Sequence, residues 1–394
     1  MFDIQAYKTH TFYSPRKIIF GQGAALQAGV EAKGLGASKV LMVTDPGVVK
    51  NDLLKPVLES LSSAGLAYSI YDKVQPEPPA RAVDEAAGQF QEDACDLVLG
   101  IGGGSSMDVA KGVSILAVNR GRILDYSGMD MVCKAGVPKM LMPTTAGTGS
   151  EITRVLVVTD ETTNVKHVVY SLHCLPEVAI VDPRLTFTMP PSVTADTGMD
   201  ALVHAVETFV SRNATPFSDI LAERAIAWIG RYLPIAWAKG SNEEARYYMS
   251  LAATISGMAF ASGGLGAVHG LSYVLGTRYH MPHGRSNAIM LPHVMRFNLM
   301  GAPVKYAAIA ALLGLDTEGI SVDEAAAQSV EAVKSLLEKL QIPIHLGAYG
   351  IAKEDVPHLV EGGLRQSRLF ATNPRDLSEN DVRDIYTNCF QHPA

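Results

Sequence analysis

The sequence predicts an α/β domain with a parallel, Rossmann-like sheet over residues 1–189 and an all-α domain over residues 190–394. In the first half, short apolar runs alternate with helical patterns, as in repeated β-α-β units. After Pro190-Pro191 this alternation gives way to long helical patterns. The length of 394 residues also favours two domains of ordinary size. We expect the active site in the cleft between them.

In chain order, strands are predicted at 12–20, 39–44, 68–72 and 96–101, with intervening helices at 24–33, 53–64 and 81–92. The run at 39–44 is apolar without alternation, which is typical of a strand buried on both faces of a sheet. In the second half, helices are predicted at 195–211, 218–232, 243–260, 264–275, 304–313, 322–340 and 353–361. A parallel sheet of this kind is expected to bind a nucleotide at the carboxyl ends of its strands.

Composition narrows the function classes. The chain is 47% hydrophobic and 19% charged, as in soluble globular proteins. A net charge of −7 without a basic patch argues against a nucleic-acid partner. No apolar run reaches the ~18 residues of a membrane span, and the start has no export signal, so a cytoplasmic protein is expected. The four cysteines have no disulfide or metal-binding spacing and are expected to be free thiols.

A glycine-rich turn follows the predicted strand at 96–101 and opens a helix. It consists of Gly102, Gly103, Gly104 and Ser105. Glycines let the backbone approach a pyrophosphate, and the free amides of a first helical turn attract its charge. The usual G-x-G-x-x-G is absent, so a plain tight turn is an equal interpretation. Asp108 and Lys111, three residues apart, can pair on the surface of that helix.

Two further features suit a dinucleotide. Asp45 ends an apolar strand, where a carboxylate would accept hydrogen bonds from ribose hydroxyls and repel a 2′-phosphate, which favours NAD over NADP. The alternative interpretation is that Asp45 only initiates the turn before Pro46. The loop at 143–153 follows another apolar run, and its hydroxyls alternate with glycines in a way that suits phosphate or ribose. Those hydroxyls belong to Thr144, Thr145 and Thr148.

The helical domain offers one carboxylate and three imidazoles. Asp200 and His204 are four residues apart in a predicted helix, so both side chains leave the same face. His269 lies in another apolar stretch, and His283 follows in a Pro-His-Gly turn that we expect to present it from a loop. One Asp with three His suits Fe²⁺ or Zn²⁺ better than Mg²⁺ or Ca²⁺. A capped or solvated Asp-His pair is the alternative.

The same segments resemble a known family. The strings at 198–207 (Gly-Met-Asp-Ala-Leu-Val-His-Ala-Val-Glu) and 282–293 (Pro-His-Gly through Asn-Ala-Ile-Met-Leu-Pro-His), with His269-Gly270, are similar to the two signatures of the iron-containing, or group III, alcohol dehydrogenases. The glycine-rich turn and the threonine loop match that family too. The resemblance covers nearly the whole chain. It implies that a divalent metal, Fe²⁺ or another such as Zn²⁺, is held by Asp200, His204, His269 and His283.

The resemblance also implies NAD(H) as the cofactor, with Leu185 packing on the adenine. It implies at least a homodimer, for which the extended segment at 12–20 is a plausible edge. One position departs from the family pattern, because many members have a second histidine, in His-Gly-x-x-His, where this chain has Tyr273. A phenol with an ordinary pKa near 10 is a poor base at neutral pH, although it can donate a hydrogen bond. A water chain or His280 could carry the proton instead.

Tyrosine at this position resembles the branch of the family that acts on semialdehydes and hydroxy acids. Phe260 and Leu369 are candidates for apolar walls of the substrate site. Arg278 is a candidate anchor for an anionic tail, since arginine offers a planar fork to a carboxylate or sulfonate. Arg285 and Arg154 are alternatives for that role.

Together these features predict a metal-dependent NAD(H) oxidoreductase that interconverts a small primary alcohol and its aldehyde. It is expected to work as an aldehyde or semialdehyde reductase, with succinate semialdehyde and sulfoacetaldehyde as examples of substrates with an anionic tail. A general short-chain alcohol dehydrogenase is the first alternative. A metal lyase of the dehydroquinate-synthase type, with Glu in place of one His ligand, and a protein that keeps the fold without turnover are two others.

Overall fold

The structure is a computed structural model that describes residues 9–163 and 165–390. The described chain divides into two compact units, one of Tyr13–Met189 and one of residues 9–12 with 190–390. The first unit combines strands and helices, and the second is built of helices. The predicted fold class, an α/β region followed by a helical region, is therefore confirmed.

The strands of the α/β unit are β1 (Lys17–Phe20), β2 (Lys39–Val43), β3 (Ala67–Tyr71), β4 (Leu97–Gly102), β5 (Gly128–Met129), β6 (Lys139–Pro143), β7 (Val155–Asp160), β8 (Val165–Tyr170) and β9 (Val178–Val181). Its α-helices are α1 (Ala28–Gly34), α2 (Pro46–Lys50), α3 (Lys55–Ser63), α4 (Ala80–Glu92) and α5 (Gly104–Leu116). Six strands form a sheet in the order β1-β9-β6-β4-β2-β3, with β1 and β3 at its edges. Every neighbouring pair in this sheet is parallel.

Both faces of this sheet are covered, which explains the apolar runs in the sequence. In β2, Leu41 and Val43 belong to one buried cluster, whereas Val40 and Met42 belong to another. Alternate residues of a strand point to opposite faces, so the two clusters are the cores on the two sides of the sheet. The carboxyl ends of β2, β4 and β6 carry Asp45, the glycine-rich turn and the threonine loop.

Two features of this unit differ from the prediction. A second sheet, in the order β5-β8-β7, was not predicted. Its strands β7 and β8 pair antiparallel, and most of their residues are only partly buried. β8 mixes polar with apolar residues, whereas β7 begins with an apolar run at 155–158 that the prediction did not use. The extended segment predicted at 12–20 forms a strand only from Lys17, after Pro15.

The helices of the second unit are α6 (Pro191–Val210), α7 (Pro216–Ala238), α8 (Glu243–Gly263), α9 (Ala267–Tyr279), α10 (His283–Asn298), α11 (Pro303–Leu312), α12 (Val322–Lys339), α13 (Val356–Leu364) and α14 (Glu379–Asn388). α6 packs against α7, α8 and α10, and α9 packs against α10 and α13. Residues 198–210 of α6 are all buried, so this helix is surrounded by its neighbours.

The helix predicted at 264–275 begins later and ends later than expected. Gly264 has a positive φ of 81° and ends α8, so α9 starts only at Ala267 and runs to Tyr279. Helix α10 was not predicted, because Pro282 and Pro292 interrupt its pattern; the structure accommodates Pro292 inside the helix. Among the described residues, no single helix is long and apolar enough to cross a bilayer, and only α8 and α9 together, bent by 110°, reach that length and composition.

Candidate metal centre and nucleotide site

Three helices of the second unit bring the four predicted ligands together. Asp200 and His204 lie one turn apart on α6, as their spacing predicts. His269 lies in the first turn of α9. His283 is the first residue of α10, so the expectation that a loop presents it was wrong. Pro282, in extended conformation before the helix, fixes where α10 begins.

The carboxylate of Asp200 is the common neighbour of the three imidazoles. Its Oδ1 lies 3.6 Å from His283 Nε2, 3.8 Å from His204 Nε2 and 3.9 Å from His269 Nε2. The donor atoms of Asp200, His269 and His283 all lie within 4.8 Å of one another. His204 joins this group through Asp200, and its ring stacks on that of His269 with centroids 4.9 Å apart.

The site is buried on one side and accessible on the other. The side chains of Asp200 and His269 are 3% and 2% exposed, whereas that of His283 is 34% exposed. Burial favours the neutral form of Asp200, but His204, His283 and His269 act in the opposite direction, and the pKa of Asp200 is lowered. The site therefore holds a carboxylate in a poorly solvated place beside several imidazole nitrogens.

Asn287 lies where the donor atoms of Asp200, His269 and His283 converge. Its amide nitrogen lies 2.7 Å from Asp200 Oδ1, 3.1 Å from His269 Nε2 and 3.2 Å from His283 Nε2. Its buried Oδ1 has no hydrogen-bond partner among the described residues. Two amide hydrogens cannot fully satisfy three acceptors, so the cluster is short of hydrogen-bond donors. A divalent cation that prefers mixed nitrogen and oxygen ligands fits this donor set.

Two of the predicted substrate residues contact the ligand rings. The ring of Phe260, on α8, lies 4.5 Å from that of His204. Tyr273 follows His269 by one helical turn on α9, and its ring centroid is 6.0 Å from that of His283. Leu369 lies against α9, because a Cβ added to Gly270 would come within 3.6 Å of its Cβ.

Of the arginines considered as tail anchors, the two in the helical unit, Arg278 and Arg285, do not present a free guanidinium at this cluster. Arg278 is exposed over the ring of Tyr279, and nine residues, or about two and a half helical turns, place it on the opposite face of α9 from His269. This position does not support Arg278 as a substrate anchor. Arg285 Nε lies 2.5 Å from Asp196 Oδ1. Arg154, in the α/β unit, lies between the rings of Tyr13 and Tyr170.

In the α/β unit, the glycine-rich turn and the threonine loop lie against each other. Thr144 is buried, and its amide donates to Gly102 O at 2.9 Å. A Cβ on Gly104 would lie 3.0 Å from Thr148 Cγ2, and one on Gly103 would meet Thr145 at 3.8 Å. Ser105 lies in the first turn of α5, whose free amides begin here. The turn and the loop thus lie together at the N-terminus of α5, where free backbone amides can bind an anion.

Asp45 lies beside this turn. Its Oδ1 caps α2 by accepting from the amides of Gly47 and Val48, and its Oδ2 accepts from Ser106 Oγ at 3.1 Å. Both the turn-initiator and the ribose interpretations of Asp45 thus remain compatible with its place. Leu185 is 3% exposed within the core on one face of the sheet, where its role towards an adenine stays a prediction.

Lys111 corrects the prediction of a surface ion pair with Asp108. Its side chain is fully buried, and its Nζ donates to Ser150 Oγ at 2.7 Å and to Val155 O at 2.6 Å, with Asp108 Oδ1 at 3.6 Å. Burial lowers the pKa of Lys111, and the Asp108 carboxylate opposes that shift. The ammonium therefore ties α5 to the end of the threonine loop.

Two further residues of the candidate metal centre, Glu207 and Asn287, were not predicted as site residues from the sequence. Glu207 follows His204 by three residues on α6, and Asn287 follows His283 by four on α10. Spacings of three and four place side chains on one helix face, so the signal that identified Asp200 and His204 could have found both.

Comparison with known proteins identifies the family. Residues 15–183 match the model described as iron-containing alcohol dehydrogenase, and residues 194–390 match that of the C-terminal part of the same family. The chain is 38% identical over 387 residues to 1,3-propanediol dehydrogenase of Citrobacter freundii, covering 98% of this chain and 100% of that protein.

Solved structures agree. A 1,3-propanediol oxidoreductase superposes with a TM-score of 0.95 at 39% identity, covering 97% of this chain and 100% of that one. Sulfoacetaldehyde reductase from Bifidobacterium kashiwanohense, in complex with NAD⁺, superposes with a TM-score of 0.87 at 30% identity, over 97% and 99% of the two chains. The chain belongs to the iron-containing alcohol dehydrogenase family.

Proposed function

We propose that this protein is a metal-dependent NAD(H) oxidoreductase that interconverts a small primary alcohol and its aldehyde. The observation that carries the proposal is the convergence of three imidazole Nε2 atoms on Asp200 Oδ1, at 3.6 to 3.9 Å, in a buried cluster. Family membership supports the reaction class, because relatives across the whole chain are named as dehydrogenases and reductases of small alcohols and aldehydes.

Asp200, His204, His269 and His283 would hold the metal, with Fe²⁺ as the family name suggests and Zn²⁺ or another divalent ion as alternatives. A divalent cation held there would supply a Lewis acid for the alcohol or aldehyde oxygen, and NAD(H) bound in the α/β unit would supply the hydride chemistry. The partial exposure of His283 leaves one side of the cluster accessible to a small substrate.

The surrounding residues would orient that substrate. Phe260 places an apolar ring against His204, and Leu369 lies beside α9 close to His269. Tyr273, half-buried near His283, can donate a hydrogen bond to a polar group of the substrate. We assign it an orienting role, since a phenol is an inefficient proton acceptor at neutral pH.

The cofactor would bind at the carboxyl ends of β2, β4 and β6. The amides of Gly103, Gly104 and Ser105 open α5 and would receive the pyrophosphate. Thr145 and Thr148 face these glycines and would contact phosphate or ribose. Asp45, next to Gly102, would accept from the ribose hydroxyls and disfavour the extra phosphate of NADP.

The dehydroquinate-synthase alternative is not favoured by the site. That chemistry was expected with a Glu in place of one His ligand, but here all four positions are one Asp and three His. Glu207 is near the cluster, yet its carboxylate contacts the outer nitrogen of His269 rather than the group of donors.

The substrate is tested by NADH oxidation with metal-reconstituted protein and matched aldehydes: propanal, succinate semialdehyde and sulfoacetaldehyde. Because Arg285 is already paired with Asp196, we expect propanal to be reduced with a kcat/KM at least equal to that of the charged aldehydes. A tenfold or greater preference for a charged aldehyde, worth about 1.4 kcal/mol, would show instead an anion anchor that this cluster does not reveal. Asp200→Ala should abolish turnover of all three, whereas Asp219→Asn should not, because Asp219 pairs with Lys305 and not with a ligand. Reduction of none of them by wild-type protein would count against the function itself.

We also infer a homo-oligomer, as the family resemblance implies. β1 lies at an edge of the six-stranded sheet, where its backbone can pair with another strand. Sedimentation of the purified protein tests this, and a monomer at micromolar concentration would contradict it.

A further inference from the structure

The carboxylate of Glu207 makes two short contacts at the start of α9. Its Oε2 lies 2.6 Å from His269 Nδ1, and its Oε1 accepts a hydrogen bond from the amide of Val268 at 2.6 Å. The side chain of Glu207 is 5% exposed and that of His269 is 2% exposed, so both contacts are shielded from water. A buried carboxylate with both oxygens engaged is held in one orientation.

These contacts determine which nitrogen of His269 faces the other ligands. A carboxylate has no hydrogen to donate, so His269 Nδ1 carries the proton and donates it to Glu207. Nε2 of the neutral ring then carries the lone pair. This agrees with a separate contact on the far side of the ring, where the amide of Asn287 donates to Nε2 at 3.1 Å. Nε2 also lies on the side of Asp200, at 3.9 Å.

We propose that Glu207 is a positioning residue of the metal centre: it holds His269 in the tautomer and orientation that present Nε2 to the metal. The inference rests on the proposed metal-dependent function and adds to it a residue outside the four ligands. A carboxylate that accepts from one ring nitrogen of a ligating histidine also increases the electron density on the other nitrogen, which binds the metal. Because the same carboxylate binds the Val268 amide, it fixes the first turn of α9 together with the ring.

The residues around Glu207 allow its carboxylate to lie close to the start of α9. A Cβ on Gly266 would lie 3.1 Å from Glu207 Oε1, so any larger residue there would push the carboxylate away. On the other side, a small cavity with room for about one water is lined by Glu207, Asn298, Tyr306 and Asn373, among others. The Asn298 and Asn373 amides are hydrogen-bonded to each other at 2.7 and 2.8 Å, so they are not free to replace the carboxylate on His269.

The test is the affinity of the metal-stripped protein for Zn²⁺, measured by competition with a chromophoric chelator. Glu207→Gln keeps the size of the side chain but cannot accept from both His269 and Val268 as a carboxylate does. We expect its Kd for Zn²⁺ to rise about 10- to 100-fold. Asp219→Asn is the matched control, because it removes a partly buried carboxylate of the same unit that contacts Lys305 instead of a ligand. Its Kd should stay within about twofold of wild type.

A second variant separates positioning from general damage to the fold. The Kd of Glu207→Ala for Zn²⁺ should rise at least as much as that of Glu207→Gln. Acetate replaces the deleted carboxylate, so adding it should lower the Kd of Glu207→Ala at least tenfold. Wild type and Asp219→Asn, titrated with the same acetate, correct for acetate binding to zinc. Unchanged affinity in Glu207→Gln, or a loss in Glu207→Ala that acetate does not relieve, would overturn the inference. If wild-type protein itself does not bind Zn²⁺ or Fe²⁺, the proposed function fails first.

Discussion

The substitution Gly103→Ala should weaken the binding of the cofactor without destabilising the fold. Gly103 precedes α5 with φ −73° and ψ −176°, an extended backbone that any residue adopts. Among the described residues other than its chain neighbours, the nearest atom to a Cβ there would be Thr145 Cγ2, at 3.8 Å. At the neighbouring Gly104, by contrast, a Cβ would lie 3.0 Å from Thr148. The fold therefore tolerates a methyl group at 103, and only a ligand on this turn would exclude it.

The expected effect follows from one displaced phosphate contact. A hydrogen bond to a charged group contributes about 1.5–3 kcal/mol. Its loss corresponds to a Kd for NADH about 10- to 100-fold higher. The free energy of unfolding should change by less than about 1 kcal/mol, since the new methyl group makes no close contact.

Fluorescence titration with NADH gives the Kd, and urea denaturation gives the stability. Gly88→Ala is the matched control, because Gly88 is an exposed residue of α4 with no atom within 4 Å of the added Cβ. It should stabilise the protein by about 0.5–1 kcal/mol and leave the Kd unchanged. A Gly103→Ala protein that binds NADH within twofold of wild type would refute the placement of the pyrophosphate on this turn.

Three other predictions concern charge and burial. Lys111→Met leaves the Asp108 carboxylate without its buried partner and should lower the free energy of unfolding by about 3–5 kcal/mol. The control Lys17→Met breaks an exposed ion pair with Glu31, 2.6 Å long, and should lower it by less than about 1 kcal/mol in the same urea assay. Equal losses in the two variants would contradict the prediction. Asp45→Ser keeps a cap for α2 but removes the charge, so the ratio of kcat/KM for NADP⁺ to that for NAD⁺ should rise at least tenfold, and an unchanged ratio would count against Asp45 as the ribose residue. Burial lowers the pKa of His293 from its ordinary 6.5 to about 4, so the unfolded state binds the proton first as the pH falls. The neutral His293 therefore contributes up to about 3 kcal/mol to the free energy of unfolding above pH 6.5, and this contribution is lost as the pH falls to 4. His293→Gln should flatten the pH dependence of the free energy of unfolding in that window, and an unaltered profile would show that His293 does not cause it.

The sequence carried enough information for the parts of the fold and site that rest on local spacing. Asp200 and His204 share a helix face because they are four residues apart, and β2 was recognisable because its residues are buried on both sides. Conversely, β8 lies partly exposed and mixes polar with apolar residues, so no local pattern distinguished it from a loop. β7 could have been recognised, because it begins with an apolar, mostly β-branched run at 155–158.

The remaining features depend on residues that are distant in sequence. The burial of Lys111 requires Ser150 and Val155, some forty positions away, to surround it, and charged side chains are seldom buried without such partners. The pairing of Arg285 with Asp196 likewise joins α10 to α6 over 89 positions, which is why a candidate substrate anchor could not be recognised as already paired.

The most direct test is a titration of metal-stripped protein with Fe²⁺, in which bound metal and NADH oxidation with propanal are measured on the same samples. We expect activity to rise in proportion to bound metal and to reach its maximum at about one ion per chain, the capacity of a single cluster around Asp200. Full turnover by protein that contains no metal would contradict it.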